Sequence, residues 1–261
     1  MTTHGESTPW FRRYPATGTP RRRLVVLPHA GGSAGFYHAW GHAFGGGTDV
    51  LVAKYPGRHD RLTDTCIDRM DVLADRVTAA LLPFTDLPVT LFGHSMGASL
   101  AYEVTLRLQE RHAVRPAALH VSSCKAPHRL TPRDLYRKGD AALIAELRRL
   151  GGTDTALLDD PDVQELILPA VRADFTVVGT HGPREATPVG CPVHAWIGDA
   201  DPGTSPQEMA AWGDVAPHGF GLRVLPGGHF YLVEQHDTLV DEVSEHLART
   251  AAHGEQNANG K

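Results

Sequence analysis

The 261-residue chain is long enough to bury a substantial core and suits one large domain, or one domain carrying an insertion. With 41% hydrophobic and 21% charged residues it has the make-up of an ordinary soluble globular protein, and its formal charge of −5 excludes the general attraction to nucleic acid or anionic membrane that a basic chain would have. No apolar run reaches the length of a signal h-region or a membrane span, so a cytoplasmic protein is expected. Cys66, Cys124 and Cys191 lie far apart and lack the close pairings of a zinc site, so they are read as reduced and inert. His38 and His42 stand one helical turn apart, but no carboxylate or cysteine motif accompanies them, and no metal centre is expected.

Residues 1–23 read as a polar lead-in carrying Trp10 and Phe11, and Arg21-Arg22-Arg23 as a solvated edge. Leu24-Val25-Val26-Leu27 is a continuous apolar run, the mark of a strand buried on both faces of a parallel sheet. The glycine-rich loop Pro28 to Gly35 follows it. That loop lacks the Gly-Lys-Ser/Thr of a phosphate-binding loop and the spacing of a dinucleotide fingerprint. Its place after a strand suits a backbone donor, so Ala30 N–H is expected to serve an oxyanion hole. A short helix over 36–44, a second buried strand over 49–53, the loop Tyr55 to Arg61 and an amphipathic helix from Asp68 to about Leu82 come next.

Pro88 to Phe92 is a short β-rich run, and Ala98 to Leu108 has helical spacing; between them lies Gly93-His94-Ser95-Met96-Gly97. Gly-x-Ser-x-Gly is a weak pattern alone. Set between strand and helix it describes a strained turn that lifts Ser95 Oγ clear of the sheet, above a helix N-terminus whose free N–H groups favour developing negative charge. Met96 N–H is the second expected oxyanion donor.

Residues 117–123 read as a further strand. From 130 to 181 the rhythm changes to two helices, over 140–150 and, interrupted by Pro169, 162–175. A helical insertion after a sheet strand reads as a lid, with Leu143, Ile144, Leu147, Leu166, Ile167, Leu168 and Phe175 offering apolar surface over the site. Strands over 192–197 and 222–225, a helix around 207–212 and a final amphipathic helix to about Ala248 complete the chain. The expected organisation is therefore a core of residues 24–129 and 182–250, a lid of 130–181 and a disordered tail of 251–261. The fold class is α/β, a doubly wound, mostly parallel sheet.

A nucleophilic serine needs a base within hydrogen-bond reach, and the base needs an acid that fixes its tautomer. His229 follows Gly227-Gly228 in a strand-to-helix loop and suits the base. Asp201 and Asp199 compete for the acid; Asp201, in the loop proper before a proline, is preferred. The order Ser95, aspartate, His229 is that of α/β-hydrolases.

Trp10-Phe11-Arg12, Pro28 to Ala34, Tyr55-Pro56-Gly57-Arg58 with Arg61, Gly93 to Ala98, Arg172-Ala173-Asp174-Phe175, Gly198 to Pro202 and Gly228-His229-Phe230 follow one another along nearly the whole chain. In that order they resemble the stand-alone type II thioesterases of polyketide and nonribosomal peptide synthesis. The resemblance implies an α/β-hydrolase with a lid, without a cofactor of its own, that edits synthases by hydrolysing wrong or stalled acyl groups from the phosphopantetheine of a carrier protein. It maps the family's serine, aspartate and histidine onto Ser95, Asp201 and His229. One departure is visible: seven residues after Asp174, where such proteins usually carry tyrosine, stands His181. Beside the lid, Lys125 to Lys138 is rich in basic groups, and Arg129, Arg133, Arg137 and Lys138 are expected to dock an acidic carrier protein by charge. The protein is expected to be a monomer. An esterase or acyltransferase using the same residues, or a non-catalytic scaffold that only binds carrier proteins, are the competing readings.

Overall fold

A computed structural model describes residues 8–151 and 157–258. Seven strands form one sheet in the order β1-β3-β2-β4-β5-β6-β7. They are β1 (Phe11–Tyr14), β2 (Arg22–Leu27), β3 (Thr48–Ala53), β4 (Val89–His94), β5 (Ala118–Ser122), β6 (Val193–Gly198) and β7 (Phe220–Leu225). All neighbours are parallel except β1, which runs antiparallel to β3 with Phe11 opposite Ala53 and Tyr14 opposite Val50. The lead-in expectation for residues 1–23 is corrected here: it contains an edge strand and the first two residues of β2. The pair Arg12-Arg13 hid β1, because the strand is only four residues long and Arg13 turns out to pair with the buried Asp49 at 2.8 Å.

The helices are α1 (His38–Ala43), α2 (Met70–Leu81), α3 (Met96–His112), α4 (Asp140–Leu150), α5 (Pro161–Thr180), α6 (Pro206–Ala210), α7 (Tyr231–Glu234) and α8 (His236–Ala258). One core lies between the sheet and α2, α3 and the chain after α5, built on Val25, Leu27, Leu91 and Leu119 against Leu73, Val77, Leu100 and Val104. The other face carries Leu24, Val26, Val50 and Phe92 against Trp40 of α1 and Leu239, Val243 and Leu247 of α8. Both faces of the central strands are therefore buried, which is why β2, β3 and β4 read as unbroken apolar runs.

Between β5 and β6 the chain leaves the sheet for α4 and α5, whose facing side chains Leu143, Ile144, Leu147, Leu168, Val171 and Phe175 form a third cluster with Leu158 of the short turn between them. Helix α5 differs from its expected form: it runs unbroken through Pro169, begins earlier and ends later. Asp160 caps it by accepting the Asp162 N–H at 2.9 Å, and Pro161 takes the first helical position, where no N–H is needed. Pro169 sits on the exposed side, where water can satisfy the carbonyl it leaves unpaired. Helix α8 continues to Ala258, through much of the stretch expected as a disordered tail from 251; Ala251-Ala252 and Glu255-Gln256 are good helix formers that carry it past Gly254. Residues 259–261 lie outside the described residues. Among the described residues no helix is long and apolar enough to cross a membrane.

Candidate active site

Ser95 stands between β4 and α3 at φ +55° and ψ −119°, a strained conformation for a residue with a side chain. The turn is possible because its flanking glycines are pressed against backbone. A Cβ on Gly93 would lie 2.0 Å from the Gly97 carbonyl oxygen, and one on Gly97 would lie 1.9 Å from that of Leu27. Ser95 N–H donates to Ser122 C=O at 2.8 Å, so β5 holds the turn in place.

His229 and Asp201 come from the loops after β7 and β6. Gly198 lets these loops touch, since a Cβ there would lie 2.3 Å from the carbonyl oxygens of both Gly227 and Gly228. The imidazole Nδ1 is 2.9 Å from Asp201 Oδ2, and the two side chains are 5% and 0% exposed. Asp201 Oδ1 accepts the Gly203 N–H at 2.7 Å. Burial works against this carboxylate, but its bonds to His229, Gly203 and Ser123 outweigh burial and hold it below its ordinary value. Asp199 is exposed, and its Oδ1 accepts the Gly227 N–H at 3.0 Å; it braces the histidine loop from outside and does not reach the imidazole.

Ser95 and His229 open onto one chamber of about 110 Å³. Ala30 and Met96 line it beside Ser95, and neither N–H donates to a loop or turn carbonyl among the described residues. Of the expected lid residues, Leu147 and Phe175 line the chamber, with Met70 and Val178 continuing the apolar wall and His181 also lining it. Leu143, Ile144, Ile167 and Leu168 pack α4 and α5 on each other instead. Leu166 is 52% exposed and faces away, on a separate surface hollow with Leu62 and Pro169, so its assignment to the chamber is corrected. Helical periodicity gives one apolar stripe, and Leu166 falls beside it.

Behind the chamber, His94 Nδ1 pairs with Ser122 Oγ at 2.8 Å, and Ser122 in turn with Tyr231 OH at 2.8 Å. His29, which itself lines the chamber, pairs through Nδ1 with Tyr37 OH at 3.2 Å. Burial, with help from the neighbouring His229 and Arg58, pushes His29 down to about 3. Burial together with His229 and His29 also lowers His94 well below the usual histidine range. Both rings therefore stay neutral next to His229, as packing rather than as competing bases. His181 is also lowered, chiefly by burial, against the opposing pull of Glu103.

Two contacts went unread in the sequence. Ser123, at φ +51° after β5, lines the chamber and supports Asp201, and nothing in its local sequence marks it. Asp174, on α5, is buried against Arg58 and Gly31. A signal for it existed: Val171, Asp174, Phe175 and Val178 share one helical stripe, and a carboxylate on a buried stripe must find a partner.

Of the basic side chains expected at the lid's edge, Arg129, Arg133, Arg137 and Lys138 are all exposed. Arg133 also reaches the chamber mouth, 3.7 Å from Glu146, while Lys138 stands 3.5 Å from Asp134 and Arg137 lies over the Tyr136 ring. His120, His194 and His246 gather on the opposite sheet face with ligand atoms within 4.8 Å of one another. The Trp196 indole N–H donates to His120 Nδ1 at 3.2 Å, which leaves that ring's Nε2 protonated and unsuited to a metal. Cys66, Cys124 and Cys191 are free, and burial raises all three thiols, Cys191 to about 12, so none is a ready nucleophile.

The mostly parallel sheet, the serine on its strained turn and the two partner loops at the same rim are the α/β-hydrolase architecture. The thioesterase domain profile matches residues 22–250, and the chain belongs to that family. The Streptomyces venezuelae thioesterase PikA5 is 39% identical over 242 residues, covering 92% of this chain and 86% of that protein. Among solved structures, the type II thioesterase BorB from the borrelidin biosynthetic cluster superposes with a TM-score of 0.86 at 38% identity, covering 94% of this chain and all of the other. YbtT, a type II thioesterase from the yersiniabactin NRPS/PKS pathway, gives 0.83 at 29%, over 92% of this chain and 99% of the other. The chemistry that goes with this membership is thioester hydrolysis.

Proposed function

We propose that the chain is an editing thioesterase that frees wrong or stalled acyl groups from the phosphopantetheine of acyl or peptidyl carrier proteins in polyketide or nonribosomal peptide synthesis. The observation that carries this reading is the single chamber onto which Ser95 and the Asp201-paired His229 both open, walled by Met70, Leu147, Phe175 and Val178. The acyl chain enters along that wall, and the thioester carbonyl lies over Ser95. His229 Nε2 takes the Ser95 proton as Oγ attacks, and Asp201 stabilises the imidazolium that forms. Ala30 and Met96 N–H receive the oxyanion, and the helix dipole of α3 favours the same charge. The C–S bond breaks, the phosphopantetheine thiol leaves with the proton from His229, and a water activated by His229 then hydrolyses the acyl-serine. The protein needs no cofactor for these steps. It works as a cytoplasmic monomer, and Arg129, Arg133, Arg137 and Lys138 meet the acidic carrier.

Intact-mass analysis of a carrier protein loaded with short, branched and long acyl groups tests this. The protein is expected to return holo carrier and free acid, while Ser95→Ala leaves the acyl carrier intact. Arg129→Glu with Arg137→Glu is expected to raise KM for the acyl carrier and spare a small acyl thioester. Simple oxygen esters turned over in preference to acyl carrier would favour an ordinary esterase, and full activity of Ser95→Ala would end the reading.

A further inference from the structure

Asp174 projects from the middle of α5 into the base of the glycine-rich loop after β2. Its Oδ2 accepts the Gly31 N–H at 2.7 Å. The Arg58 guanidinium grips both carboxylate oxygens, at 2.6 and 2.8 Å, and donates to Gly32 C=O at 3.2 Å. The two side chains are only 11% and 2% exposed. Burial works against the guanidinium, and the charge and hydrogen bonds of Asp174 more than offset it. At the start of the loop, Tyr55 OH donates to Pro28 C=O at 3.1 Å, and Arg58 lies over the Tyr55 ring.

The Ala30 N–H thus has an anchored peptide on either side. The peptide that carries Ala30 N–H has one local tie, from Gly32 N–H to His29 C=O at 2.9 Å, but that turn passes through Gly31 at φ +76°, a region glycine enters and leaves freely, so Asp174 on Gly31 N–H and Arg58 on Gly32 C=O are what keep the turn in place. A buried ion pair is a poor source of stability, because desolvation consumes most of its attraction. It does fix geometry, since bidentate arginine–carboxylate pairing admits one arrangement.

We infer that Asp174, clamped by Arg58, is a positioning residue for the Ala30 oxyanion donor, so that the hole is complete only while the lid helix α5 is seated. The inference rests on the reading of Ser95 as nucleophile and of Ala30 as donor. Its consequence is a coupling between lid and chemistry. Because the anchor belongs to α5 and the donor to the core, a lid swung away from the sheet leaves the loop unheld, and an acyl group that does not let α5 settle meets an incomplete hole.

The test compares wild type, Asp174→Ala, Asp174→Asn and Arg58→Lys on a small acyl thioester. Inhibition by an alkylboronic acid that forms a tetrahedral adduct on Ser95, and thermal unfolding, are measured alongside. Asp174→Ala is expected to lower kcat by about 10- to 100-fold with KM within about threefold, less than the 10² to 10³ typical of losing a donor outright. Boronate affinity per active site falls by the same factor. Asp174→Asn, which keeps an oxygen for Gly31, recovers part of both, and Arg58→Lys, which keeps the charge, lies between. If Asp174→Ala does not fold, the other two variants carry the comparison. Unchanged boronate affinity in folded variants, with any loss of kcat tracking the folded fraction alone, overturns the positioning role and leaves the serine reading intact. A wild type that neither hydrolyses the thioester nor takes the boronate at Ser95 overturns both.

Discussion

Replacing Asp201 by Asn puts the acid–base pair to a sharp test, because the structure dictates how the amide must sit. Asp201 Oδ1 is held by the Gly203 N–H at 2.7 Å, so the amide oxygen keeps that place and the NH2 is turned toward His229 Nδ1, now occupied by Oδ2 at 2.9 Å. An NH2 group can only donate there. Nδ1 must then be the acceptor, which moves the ring proton to Nε2, the atom that has to take the proton from Ser95. The expected loss in kcat is about 10⁴-fold, close to 5 kcal/mol of transition-state stabilisation. KM should change little and the fold should persist, since shape and one hydrogen bond are kept. Asp199→Asn is the control: its amide oxygen retains the Gly227 N–H, and activity should stay within about twofold of wild type. Steady-state kinetics on an acyl thioester, with circular dichroism for folding, decide the matter. A loss under tenfold at 201, or a collapse of activity at 199, would refute the tautomer argument and the choice of acid.

Two further outcomes follow from the packing. His29 and His194 are pushed down to about 3 and about 4, in both cases chiefly by burial, so below pH 6.5 the unfolded chain binds protons that the native state refuses. Their depressed values contribute stability that is present above pH 6.5 and lost as the pH falls toward 4, so Tm should drop steadily across that window, and a flat Tm from pH 7 to 4.5 would contradict it. Gly97→Ala places a Cβ against Leu27 backbone that cannot move without shifting β2, and should destabilise by on the order of 3 kcal/mol or more in denaturant unfolding; a neutral variant would deny the close approach.

Much of the sheet was legible because β2, β3 and β4 are buried on both faces and therefore lack polar alternation. Strand β1 escaped because Arg12 and Arg13 separate its two buried residues, Phe11 and Tyr14, which enter the cores on opposite faces of the sheet. The continuity of α5 escaped because Pro169 is a breaker by propensity, and only the structure tells that it faces solvent. Ser95 and His229 were legible from chain order and loop chemistry. The preference for Asp201 over Asp199 rested on its place in the loop proper before Pro202; what the sequence lacked was the turn after Gly198 that aims Asp201 at His229 Nδ1 and Asp199 at the Gly227 N–H.

The walls of the chamber show a different limit. Leu147 and Leu143 lie on the same face of α4, one turn apart, and both pack against α5, yet only Leu147 also meets the chamber. Periodicity says which side of a helix is dry; it does not say what dry surface it meets, because that depends on how far each element stands from the sheet. Asp174 runs the other way. Its position on the apolar stripe of α5 conflicts with the local pattern, and such a conflict persists only where a partner elsewhere compensates. Arg58 and the Gly31 N–H are that partner, contributed by two segments more than a hundred residues upstream. A buried charge on the apolar stripe of α5 therefore points to a partner elsewhere in the chain, which the apolar residues around it do not, since those would be present in any helix that packs.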